Sequence, residues 1–137
     1  MRTSFCLTGL LALGGCSLLP KPDPNQAWID LHTNPASQLR AAEVDDKPLD
    51  DDRFFQVEPG SHELQARLQF AVAGSDVGPS SAALPRNCEV RVQYAGFDAG
   101  QRYRLVAGNI GFRPWVKLYS ADNQLLARGR EGRCGEF

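Results

Sequence analysis

From residue 62 to residue 72, Leu64, Ala66, Leu68, Phe70 and Val72 occupy alternate positions, with Glu63, Gln65, Arg67 and Gln69 between them. A period of two places the two sets on opposite faces of an extended chain, which predicts a strand with one dry side and one wet side. Cys88, Val90, Val92 and Tyr94 alternate with Glu89, Arg91 and Gln93 in the same way. Weaker alternation predicts further strands over 27–32, 38–44, 53–57, 101–107, 114–119 and 124–128. These are separated by the turn-forming stretches Asp45-Asp46-Lys47-Pro48, Pro59-Gly60 and Ala121-Asp122-Asn123. No long run of helical period follows residue 27. About eight short strands at this spacing predict an all-β fold, a small antiparallel β-sandwich or a partly open barrel. Residues 73–87 hold Gly74, Gly78, Pro79, Ser80, Ser81 and Pro85, which predicts a long mobile loop dividing the domain into two halves.

The N-terminus follows a different pattern. Arg2 precedes an apolar run of nine residues, 5–13, whereas a membrane-spanning helix needs about 20. A basic residue, a short apolar run and two small residues make the layout of an export signal. Leu13-Gly14-Gly15-Cys16 resembles the lipobox of bacterial lipoproteins. That resemblance implies diacylglycerol on the Cys16 sulfur, cleavage before Cys16 and acylation of the new amine. A single acyl chain holds a protein to a bilayer only marginally, and stable anchoring takes two signals, so three chains would make release negligible. Ser17 follows the cysteine where an Asp would argue for inner-membrane retention. The resemblance therefore implies the outer membrane, periplasmic side. The expected organisation is a signal peptide over 1–15, a lipidated cysteine with a Pro-rich tether over 16–26, and one β domain over 27–137. Pro20, Pro22 and Pro24 suit an extended tether.

Removal of residues 1–15 leaves 122 residues, the length of one domain. Cys6 leaves with the signal and Cys16 carries lipid, so Cys88 and Cys134 remain. An exported setting favours a structural disulfide between them, and an intrachain bond is the simpler account. Without a C-x-x-C pair, and with His32 and His62 remote from both cysteines, no zinc site is expected. Charge is uneven. Residues 16–75 hold five Lys/Arg against ten Asp/Glu, and residues 76–137 hold nine against six. Neither half is basic enough to point to nucleic acid.

Val44-Asp45-Asp46-Lys47-Pro48, followed by Val57-Glu58-Pro59-Gly60-Ser61-His62-Glu63-Leu64, resembles the hairpin and Pro-Gly corner of PEGA-like envelope β domains. Asp46 stands where that pattern usually has glycine, which points to a different turn type. Phe97-Asp98-Ala99-Gly100-Gln101-Arg102-Tyr103 is similar to the corner that enters a later strand in such lipoproteins. What the resemblance implies is a noncatalytic adhesion, tethering or assembly module.

The candidate chemistry is sparse. There is no G-x-S-x-G, no free cysteine to act as nucleophile and no histidine placed beside a second catalytic group, so no enzyme activity and no cofactor are expected. Asp45, Asp46, Asp50, Asp51 and Asp52 lack the alternate spacing of an EF-hand loop, Pro48 and Leu49 interrupting them, and read as a solvated acidic loop. The basic and aromatic residues form a better pattern. Arg102 and Arg104 share one strand face, and Arg113, Trp115 and Lys117 share another. If the two strands pair, these five make one surface of the kind that dominates protein interfaces or stacks on glycans. Arg128, Arg130 and Arg133 extend the positive charge. The expected partners are the membrane, through the lipid, and an envelope protein. Peptidoglycan, or a cell-wall-degrading enzyme to be inhibited, is the alternative.

Overall fold

A computed structural model describes residues 21–72 and 84–135. The signal segment, Cys16 and residues 73–83 of the expected loop lie outside the described residues. The described residues form ten strands: β1 (Ala27–His32), β2 (Gln38–Val44), β3 (Lys47–Pro48), β4 (Phe54–Val57), β5 (Gly60–Val72), β6 (Leu84–Phe97), β7 (Arg102–Ile110), β8 (Arg113–Ser120), β9 (Leu125–Arg128) and β10 (Arg130–Gly135). They make two five-stranded sheets, in the orders β4-β1-β7-β8-β9 and β10-β6-β5-β2-β3. The all-β, two-sheet architecture expected from the alternation is the one observed. Most of the alternating apolar positions of β5 and β6 face inward. Ile29, Phe55, Leu64, Leu68 and Leu118 are fully buried between the sheets, where each such side chain contributes about 1.5–3 kcal/mol.

Several expectations are corrected. β1 and β7 run parallel, Trp28 opposite Arg102 and Leu31 opposite Leu105, while every other pairing is antiparallel. Alternation specifies which face a side chain takes and carries no information about which strand lies beside it. Residues 84–87 of the expected loop are part of β6. The loop does not divide the domain. β5 and β6 flank it as neighbours in one sheet, paired from Gly60 opposite Phe97 to Val72 opposite Leu84. β10 was not expected at all, because residues 130–135 hold a single apolar residue, Cys134, and show no alternation. Cys134 sits opposite Cys88 in the β6–β10 register, and the two sulfurs are bonded at 2.02 Å. The expected disulfide is therefore present within the chain.

Asp45 and Asp46 both take positive φ, 50° and 64°, the signature of a type I′ turn between β2 and β3. The absence of glycine has not changed the turn. Asp45 compensates for its left-handed backbone, since its carboxylate accepts the Glu63 N–H at 2.9 Å and the His62 Nδ1–H at 2.6 Å. At the other ring nitrogen His62 reaches the Glu58 carbonyl at 2.7 Å, so this histidine ties the hairpin to the Pro-Gly corner. The 97–103 corner is closed by a hydrogen bond from the Asp98 N–H to Tyr103 Oη at 2.9 Å, and burial pushes the Tyr103 phenol upward.

The expected extended tether changes character before it meets the domain. Residues 23–26 turn, with the Gln26 N–H donating to the Asp23 carbonyl at 3.1 Å. The Asp23 N–H donates to Gln56 at 3.2 Å, the Gln26 amide donates to Glu58 at 2.7 Å, and the Gly100 N–H donates to the Gln26 carbonyl at 2.9 Å. The arm is thus held at the end of the sandwich where β1 and β7 begin.

Candidate interaction face

β7 and β8 pair, with Arg104 opposite Tyr119, Val106 opposite Lys117, Gly108 opposite Trp115 and Ile110 opposite Arg113. Tyr103, Leu105, Val116 and Leu118 are buried, and the intervening residues face away from the core. Arg102, Arg104, Arg113, Trp115 and Lys117 therefore share the outer face of the first sheet. They are spread along it. Arg102 lies near the start of β7, and the partner of Arg113, Ile110, lies at its end.

Three of the four basic residues on this face meet an aromatic one. The Arg102 guanidinium carbon lies 5.6 Å from the Trp28 ring centre, that of Arg104 lies 5.6 Å from Tyr119, and Lys117 Nζ lies 5.3 Å from Trp115. Such contacts contribute about 0.5–1 kcal/mol at exposed positions. Trp115 rests on the backbone of Gly108. A Cβ there would come within 2.7 Å of its ring, so glycine lets the indole approach the β7 backbone this closely.

The face divides electrostatically into two parts. At the β1 end, Arg102 donates to Asp30 from Nε at 2.8 Å and from Nη2 at 3.2 Å, while the Trp28 indole N–H donates to the same carboxylate at 2.8 Å. The Arg102 bond, more than any other contact, holds the Asp30 carboxyl below its usual range and raises the guanidinium in return. Phe54 stacks on Trp28 with ring centres 4.0 Å apart and planes 7° from parallel. Arg102 is thereby neutralised and engaged within the molecule. Asp30, Trp28 and Phe54 were not anticipated as parts of this face. Trp28 and Asp30 do share one parity along β1, but nothing local reveals that β1 lies beside β7.

Toward the other end the charges are uncompensated. Arg104, Arg113, Lys117 and Arg128 have no carboxylate within salt-bridge distance among the described residues. Arg104 donates to Asn123, and its shielded Nε has no partner among the described residues. Lys117 stands opposite Arg128 in the β8–β9 register. Like charges facing each other across a strand pair are destabilising. The other cross-strand pair in this region, Arg91 opposite Arg130, shares Glu63, which lies 3.4 Å from Arg91 and 3.8 Å from Arg130. Arg130 is thus partly compensated, whereas Lys117 and Arg128 are not.

Beside this pair lies an open groove of about 410 Å³, lined by Arg113, Trp115, Lys117, Arg128, Arg130 and Glu131. No cluster of three or more potential metal ligands occurs among the described residues. In the acidic 45–52 segment, Asp51 pairs with Arg53 at 2.6 Å and Asp52 with Arg40 at 3.4 Å. Asp51 is lowered to about 2 by its hydrogen bonds with Arg53. No protein-family model, curated protein or solved structure matches the chain.

Proposed function

We propose that the protein is a lipid-anchored envelope lipoprotein, facing the periplasm from the outer membrane, which serves as a noncatalytic docking module for another envelope protein. Anchoring rests on the lipobox-like Leu13-Gly14-Gly15-Cys16. Docking rests on one observation above all, the like-charged Lys117–Arg128 pair beside Trp115, which has no carboxylate within salt-bridge distance among the described residues although Glu131 lines the same groove. A fold does not keep a repulsive pair for its own stability, and an arginine-rich, aromatic surface is the composition of an interface hot spot. Arg102 is reassigned from the docking surface to its support, because Asp30 already engages it.

A crosslinking pull-down from envelope, with intact lipoprotein as bait, tests this reading. One protein recovered by the native bait and lost with Arg113→Glu/Lys117→Glu/Arg128→Glu supports docking through this face, and equal recovery by both baits overturns it. Replacing Cys16 with Ala should move the protein from the membrane fraction to the soluble fraction. The half-buried Trp115, packed against Gly108, favours peptidoglycan as the second reading, since sugar rings stack on exposed indole surface. Co-sedimentation with purified peptidoglycan, lost in Trp115→Ala, would move the assignment there.

A further inference from the structure

The groove beside Trp115 is bounded on one side by a strand edge that the fold leaves open. β9 pairs with β8 only from Lys117 to Tyr119. The next contact on that edge is the Gly129 N–H, which donates to the Val116 carbonyl at 2.9 Å. There the chain leaves for the other sheet and becomes β10. Residues 113–115 of β8 consequently have β7 on one side and no strand on the other among the described residues. In a strand, alternate residues direct their backbone groups to the same edge. Pro114 therefore shares the direction of Val116, and, having no N–H, it offers that edge a carbonyl acceptor only.

We infer that this edge takes an extended acidic segment of the partner protein by strand addition, with its carboxylates paired to Arg113, Lys117 and Arg128. The inference rests on the docking reading above and names the chemistry of its partner. Three features point to an acidic peptide. The Pro114 carbonyl is the one backbone acceptor that residues 113–115 turn to this edge, and the N–H of an added strand completes it, a recognised mode of peptide capture. Arg113 and Lys117 flank Trp115 at every second position, the side-chain period of an extended chain, and Arg128 lies directly across from Lys117. Finally, the hairpin tip next to Arg113 exposes Ile110 at 77% and Phe112 at 37%, apolar surface for the end of such a segment. A second copy of this chain is disfavoured, because it would bring the same cations against one another.

The test uses the intact protein and a labelled ten-residue peptide of alternating Glu and Val, followed by fluorescence anisotropy and backbone amide NMR. Expected are saturable binding, amide shifts concentrated at residues 113–117 and 128–131, and roughly tenfold weaker binding to Lys117→Glu/Arg128→Glu. N-methylation of alternate peptide amides should weaken binding in one of the two frames, because it removes the donor that meets the Pro114 carbonyl. Equal binding of both N-methylated frames and the parent peptide would overturn strand addition, as would tighter binding of anionic lipid vesicles or peptidoglycan fragments than of the peptide. The two readings fail separately. A bait that loses its partner on charge reversal while N-methylation has no effect keeps docking and removes strand addition. Peptide binding as described, with an unchanged pull-down, keeps the edge site and removes the docking reading.

Discussion

Lys117 separates what a residue does for folding from what it does for a partner. It faces Arg128 across the β8–β9 pair, so Lys117→Glu turns a repulsive cross-strand pair into an attractive one. A gain of about 0.5 kcal/mol in stability is expected, seen as a small rise in Tm, together with loss of the docked partner. A fall in both would make Lys117 an ordinary structural residue. Asp30 is the opposite case, since its carboxylate holds Arg102 and the Trp28 indole in place. Asp30→Asn should cost about 1 kcal/mol at pH 7, after discounting for solvent exposure. Its folded value lies below the ordinary 3.8, so this contribution is fully present above about pH 4 and is lost as pH falls through the folded value. Urea unfolding of both proteins at pH 7 and pH 3 checks it: the gap should narrow in acid, and a constant gap would deny the linkage.

At the scale of elements, the most demanding point is the passage from β9 to β10, where the chain changes sheets at Gly129. A Cβ there would sit 2.2 Å from Val116 Cγ1 and 2.3 Å from the Arg91 carbonyl oxygen. A backbone atom cannot swing aside as a side-chain end can, so Gly129→Ala should destabilise by about 3 kcal/mol, lowering Tm by roughly 10 °C. A shift under about 2 °C would mean that the crossover is looser than drawn. Elements were legible where alternation was strong. β1 and β2 have the expected bounds, 27–32 and 38–44, and β5 and β8 begin within two residues of theirs. β10 was illegible because pairing with β6 through backbone bonds and one disulfide requires no apolar rhythm. Of the candidate face, Arg102, Arg104, Arg113, Trp115 and Lys117 were legible from parity alone. Trp28, Phe54 and Tyr119 were not assigned to it, since their membership depends on which strands become neighbours.

For the whole molecule, the disulfide ties the edge strand β10 to its neighbour β6 across a separation of 46 residues. The chain-entropy model gives about 4 kcal/mol for closing such a loop. Cys88→Ser/Cys134→Ser should lower the urea midpoint accordingly and release β10 first, visible as faster amide exchange at residues 130–135. Uniform exchange throughout the protein would show that β10 is held by its other contacts. Because β10 also forms one wall of the groove, the reduced protein should bind the acidic peptide more weakly, even under conditions where it remains folded.

Sequence alone determined the local terms: which residues alternate, where turns interrupt them, and which basic residues share a strand face with Trp115. These depend on neighbours one to four residues apart and on the period of the strand. Tertiary structure decided the rest: that β1 lies parallel to β7, that Arg102 is engaged by Asp30, that Lys117 confronts Arg128, and that the edge at residues 113–115 stays open. Each of these depends on contacts between segments distant along the chain, and the side-chain period that marks a strand is the same whichever strand lies beside it.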